Sequence, residues 1–169
     1  IGTGLDGAYT KDFWEYDSGT GWTQKADFGG TARIGAVGLS IGTKGFIGTG
    51  HDGAYVNDFW EYDPSTNAWV QKANFGGTPR NLAVGFSIGT KGYIGTGSDG
   101  GYTKDFWEYD PNDASLGMDV NGNPLGKWTM KADFGGVGRY GAVGFGIGTK
   151  GYIGTGSDGG YKNDFWEYD

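Results

Sequence analysis

Three sequence blocks recur along this chain, and that recurrence limits its folds more than any other feature. Ile-Gly-Thr-Gly begins at Ile1, Ile47, Ile94 and Ile153, and Asp-Phe-Trp-Glu-Tyr-Asp begins at Asp12, Asp58, Asp105 and Asp164. The steps are 46, 47 and 59 residues, the longest containing one insertion at 112–127. Between these blocks runs a third: Lys-Ala-Asp/Asn-Phe-Gly-Gly, then Arg33, Arg80 or Arg139, then Ala-Val-Gly. A repeat of this length is one supersecondary unit, and it buries its apolar surface only against its neighbours.

Within each unit the apolar period is two. In Ala36-Val37-Gly38-Leu39-Ser40-Ile41, Val, Leu and Ile fall on one face and Ala, Gly and Ser on the other, which is strand alternation. A Gly-Thr-Lys-Gly turn follows, then Phe46-Ile47-Gly48, then Phe-Trp-Glu-Tyr, then a strand opening near Trp22, Trp69 or Trp128. The 38 glycines recur too often for a helix. Four short antiparallel strands per unit predict an all-β propeller, with the small-residue strand innermost and the Trp-bearing strands outermost. The counting gives a partial blade over 1–28, blades over 29–75 and 76–134, and a partial blade over 135–169. In strands this is three, four, four and three. So few blades do not close comfortably. Three outcomes stay open: an ordered part of a larger propeller, association of copies through the incomplete blades, or an irregular four-bladed object.

The unit resembles the kelch repeat across the whole chain. Kelch units carry a glycine pair after the second strand, then a Tyr and a Trp about six residues apart. Tyr62 and Trp69 have that spacing and Tyr16 and Trp22 one residue less, while Gly48-Thr49-Gly50 replaces adjacent glycines. The blocks are most similar to those of secreted or surface kelch proteins of bacteria, particularly Bacteroidetes. That resemblance implies an extracellular or cell-surface location and a noncatalytic module that binds a protein or a glycan. Fold alone does not name a ligand.

Composition narrows the chemistry. With no Cys there is no disulfide, thiolate metal site or Cys nucleophile. The single His, His51, argues against a histidine-based triad or metal cluster, and it reads as an exposed loop variant. The copper-dependent kelch oxidases use Tyr, His and a Tyr–Cys crosslink; with one His and no Cys, that activity has no support here. A net charge of −7 argues against nucleic acid and anionic membranes, and no apolar run approaches the ~18 residues of a membrane span. Of the 20 acidic residues, 16 sit at four positions repeated four times. An active site needs residues that differ from their repeat equivalents, and here almost none do.

The loop Gly-Thr-Gly-x-Asp-Gly-x-Tyr-x-x-Asp shares one face with the Arg-bearing linker. It predicts a polar rim in which Tyr55, Tyr102 and Tyr161 stack on a ligand and Asp52, Asp99 and Asp158 accept its hydroxyls, with Arg80 and Arg139 alongside. The competing reading is structural: the Asp side chains cap their own turns and each Arg pairs with a carboxylate between blades. Asp58 and Asp105, which open strands, read as structural. Asp119, Asn121 and Asn123 in the insertion are candidates for a partner contact. They also carry the beginning of a calcium-loop spacing, but Pro124 and Met130 stand where its glycine and its acidic last ligand belong. The expectation is therefore no cofactor, with Asn121-Gly122 forming a hairpin turn.

Overall fold

A computed structural model describes residues 1–169. Its 14 strands form four antiparallel sheets and it has no helix. The first sheet holds β1 (Gly2–Asp6), β2 (Ala8–Asp17) and β3 (Gly21–Gln24). The second holds β4 (Val37–Ile41), β5 (Lys44–Gly48), β6 (Phe59–Asp63) and β7 (Ala68–Gln71). The third holds β8 (Val84–Ile88), β9 (Lys91–Gly95), β10 (Phe106–Asp110) and β11 (Lys127–Met130). The fourth holds β12 (Val143–Ile147), β13 (Lys150–Gly154) and β14 (Phe165–Tyr168). These sheets are called blades 1 to 4. Each is a simple meander in chain order, and the strand total per blade matches the reading from the repeats.

The small-residue strands β4, β8 and β12 lie side by side, as expected of the innermost position. A Cβ built on Gly85 would stand 2.8 Å from a Val37 methyl and 3.3 Å from Leu39, so the glycine face of one blade receives the aliphatic face of the blade before it. Period two thus divides each strand between two interfaces. Strands six and ten show it most clearly. Phe59 meets Tyr109 and Trp128 of the next blade at ring-centroid distances of 5.0 Å. Tyr62, on the opposite face of the same strand, meets Phe13 of the preceding blade at 4.8 Å. Phe106 repeats the pattern against Tyr168 at 4.9 Å. Edge-to-face aromatic pairs of this kind contribute ~0.5–1.5 kcal/mol each beyond their burial.

The fourth strands end before the Lys-Ala pair because the backbone there changes partner. Ala73 donates its N–H to the carbonyl of Leu125 in blade 3 at 3.0 Å, and Trp128 Nε1 donates to the Ala73 carbonyl at 3.1 Å. Ala26 and Trp69 make the corresponding pair of bonds between blades 1 and 2, with Asn67 Oδ1 in place of the Leu125 carbonyl. The outer rim is therefore stitched through backbone groups as well as packed.

Candidate functional site

The loops between second and third strands gather on one face, and in blades 2 to 4 an arginine lies beneath the loop. Arg33, Arg80 and Arg139 are at most 1% exposed. Arg33 places all five donors: Nε on the Thr31 carbonyl, Nη1 on the Thr49 carbonyl and Asp58 Oδ1, and Nη2 on Thr31 Oγ1 and Asp58 Oδ2. Arg80 does the same with Thr78, Thr96 and Asp105, and adds Thr103 Oγ1 at 2.8 Å. Arg139 takes Thr155 and Asp164, but Val137 stands where the others have a threonine hydroxyl. The guanidinium plane also lies over Phe28, Phe75 or Phe134 at 4.8–5.0 Å.

This geometry corrects two expectations. Arg80 and Arg139 cannot line a ligand platform, because both side chains are covered and their guanidinium forks are turned onto Asp105 and Asp164. The arginine also pairs with the strand-opening Asp of its own blade, not across blades. The bidentate fork matches a carboxylate, and a Trp indole completes the cluster: Trp60 to Asp58 at 2.8 Å, Trp107 to Asp105 at 2.7 Å and Trp166 to Asp164 at 2.9 Å. Burial raises the Asp105 pKa, but the Arg80 and Trp107 bonds outweigh it and leave the carboxyl below its ordinary value. The Arg139 and Trp166 bonds hold Asp164 far below the usual carboxylate range.

The carbonyl that receives each arginine comes from a residue with unusual backbone. Thr3, Thr49, Thr96 and Thr155 have φ of 57–64°, a region that costs a β-branched residue ~1–3 kcal/mol. The buried hydroxyls of Thr49 and Thr96 have no hydrogen-bond partner. The sequence showed Thr replacing a kelch glycine but not the reason. The left-handed turn aims the carbonyl at the guanidinium in blades 2 to 4.

Above the arginine layer the Asp side chains are held by their loops. Asp52 accepts from Thr31 Oγ1 at 2.6 Å and from its own loop at Ala54 N–H; Asp99 accepts from Thr78 Oγ1 at 2.8 Å and Gly101 N–H. The threonine bond is the largest influence on each and lowers both pKa values. Asp158 is lowered chiefly by Lys162, which lies 2.7 Å away. Tyr55, Tyr102 and Tyr161 are exposed at the rim. Tyr102 reaches over blade 4 and packs its ring against Tyr140 at 5.6 Å. His51 is half-buried rather than freely exposed: its ring sits between Tyr9 and Tyr55 at centroid distances of 6.2 and 5.4 Å.

The insertion faces the other way and does something the sequence did not disclose. Lys72, from blade 2, is buried beside Asp119 at 2.6 Å, the Pro124 carbonyl at 3.1 Å and Glu61 at 3.3 Å. Both Lys72 and Asp119 side chains are 2% exposed. Asp119 is thus an internal clasp between blades 2 and 3, which corrects its assignment as a partner contact. Its Oδ1 accepts from Asn121 and Asn123 N–H, while Oδ2 accepts from the Lys72 ammonium. Asn121 and Asn123 themselves remain exposed. Nowhere in the chain do three His, Cys, Asp or Glu side chains gather as a metal-binding group.

Comparison with known proteins agrees with this architecture. The Kelch motif matches residues 45–76, which run from β5 through β7 to Gly76. No curated protein matches the chain in sequence. Among solved structures, that of YjhT is similar over 99% of this chain, with a TM-score of 0.74 and 16% identity. The chain spans 61% of the YjhT chain. At that identity the likeness concerns the fold, which is an all-β, kelch-like propeller built of four-stranded blades and incomplete blades at either side.

Proposed function

We propose that this chain is a noncatalytic recognition module of a secreted or cell-surface bacterial protein, binding a protein or glycan across the Asp/Tyr rim. The observation that supports this is the repetition of one exposed tyrosine beside one immobilised carboxylate, at Asp52/Tyr55, Asp99/Tyr102 and Asp158/Tyr161. Each Asp keeps unfilled acceptor capacity after its turn bonds are made. Tyr supplies flat apolar area with little entropy to lose. Such a rim suits sugar rings or extended peptides, needs no cofactor, and gains affinity from several equivalent weak sites. The buried Arg–Asp clusters hold the loops and leave no reactive group over the rim.

The test is binding to a broad glycan set and to peptide ligands, compared between the unaltered chain and Tyr102→Ala/Tyr161→Ala. Loss of multivalent binding supports the reading; unchanged binding by the double variant overturns it. A second reading has its own observation. Phe165 on blade 4 presents the face that Phe59 and Phe106 turn toward a following blade, while Tyr16 and Trp22 on blade 1 present the face that receives it. Those faces suit head-to-tail packing of copies in a surface or secretion-related assembly. Particle mass that rises with concentration and collapses on Phe165→Asp would favour it.

A further inference from the structure

Two departures from the repeat meet between blades 2 and 3, at the end of the blades away from the tyrosine rim. In blades 3 and 4 the second strand sets a tyrosine opposite the glutamate of the third strand, and its hydroxyl donates to that glutamate. Tyr93 reaches Glu108 at 2.8 Å and Tyr152 reaches Glu167 at 3.0 Å. Blade 2 keeps the register but places Phe46 opposite Glu61. Phe46 has no hydroxyl to give, and the Glu61 carboxylate meets the Lys72 ammonium at 3.3 Å instead, with its side chain 16% exposed. The second departure is the insertion, found only between β10 and β11. It brings Asn112 and Asn123 to a cavity of about 330 Å³ that Phe46 and Glu61 also line. Blades 2 and 3 each have all four strands, so this cavity lies between complete sheets.

The lining selects a ligand chemistry. Both lysines at the cavity are neutralised, Lys44 by Asp63 at 2.5 Å and Lys72 by Asp119 at 2.6 Å. An anionic ligand would therefore meet the Glu61 carboxylate without a spare cation to offset it. Glu61 is an acceptor that needs a donor. Thr43 and Thr90 add two exposed hydroxyls, and Asn112 and Asn123 two exposed amides, all able to donate and accept. Ile41 and Pro111 supply apolar wall. The volume falls within the about 300–1,000 Å³ of small-molecule sites.

We propose that this cavity binds a neutral sugar ring, one hydroxyl of which donates to Glu61 in the place taken by the tyrosine hydroxyl in blades 3 and 4. The Asn and Thr side chains hold further hydroxyls, and the apolar wall faces the C–H surface of the ring. The site uses none of the Asp/Tyr rim residues, so it stands or falls separately from the reading of that rim.

The probes are glucose, galactose and mannose with their methyl glycosides, titrated into the isotopically labelled full chain and followed by amide chemical shifts. Saturable shifts are expected at Thr43, Glu61, Asn112 and Asn123 with at least one hexose, and not with glucuronate. Binding kept by the methyl glycoside assigns the end of a glycan, and binding lost with it assigns the free sugar. Phe46→Tyr is the decisive variant. It installs the residue of blades 3 and 4, so the fold should hold, while the new hydroxyl occupies Glu61 and weakens binding about tenfold or more. Asn123→Ala should weaken it less, and Tyr102→Ala should leave it unchanged. No saturable shift up to about 10 mM sugar would mean that only water enters the cavity and would overturn the proposal. Equal binding by a folded Phe46→Tyr chain, or shifts confined to the Asp99/Tyr102 rim, would overturn it as well.

Discussion

Blade 3 and blade 4 share almost the same words and differ in how those words are buried. Residues 92–110 and 151–169 differ at only two positions. Yet Phe106 is 2% exposed and Phe165 is 61% exposed. Blade 1 shows the opposite face of the same effect: Tyr109 in blade 3 is fully buried and Tyr16 in blade 1 is 61% exposed. What buries Phe106 is Tyr168 of blade 4, and what buries Tyr109 is Phe59 of blade 2. Burial here belongs to the junction between sheets, not to the sheet. Stability should accordingly behave as a sum over blade junctions.

The largest test of that comparison is Phe106→Ala against Phe165→Ala. The first should cost ~3–5 kcal/mol by urea denaturation, the second well under ~1 kcal/mol. Comparable losses would mean that blade 4 is covered in solution, which itself would support packing by another copy. Next comes the clasp. Lys72→Met leaves Asp119 buried without its counter-charge and should cost about 3 kcal/mol, and Lys72→Met/Asp119→Leu should recover most of it. If the single variant is silent, the insertion does not hold blades 2 and 3 together.

The pH dependence is smaller and spread over several groups. Asp63, held at about 2 by Lys44 and Ser65, and Asp99, Asp105, Asp110 and Asp164 all have folded pKa values below the ordinary carboxylate range. A depressed folded pKa stabilises the fold above the unfolded pKa of ~3.9, and that contribution is lost as pH falls through the folded value. The denaturation midpoint should therefore hold steady down to about pH 5 and decline below about pH 4. Asp105→Asn should lower the plateau and flatten the decline; a midpoint that falls already near pH 6 would point to another group. The smallest expected effect is Tyr161→Ala, within ~0.5 kcal/mol in stability because its ring touches no neighbouring blade. Tyr102→Ala should cost slightly more through its contact with Tyr140.

Much of the fold was legible because its signals are local. The alternation in Ala36–Ile41 and the recurrence of Phe-Trp-Glu-Tyr identify the strands, their order and the incomplete blades. The candidate site was less legible. The Asp-Gly-x-Tyr loops are legible, but Arg80 and Arg139 join them in the sequence reading only because the inter-blade linker shares that face of a propeller. Nothing in the spacing of Arg33 and Asp58 says that a fork 25 residues away lies underneath the loop and not on top of it. Nor does a lone lysine in Lys-Ala-Asn-Phe announce a buried partner 47 residues later.

The sequence by itself determined the strands, the small-residue inner face and the equivalence of the four units, since strand alternation and glycine turns act within a few residues. Only the tertiary structure decided which of those equivalent residues are buried, which carboxylate each arginine reads, and what Asp119 holds. Those outcomes depend on desolvation and on charges brought together from separate strands. Identical words then acquire different environments according to the sheet that stands beside them.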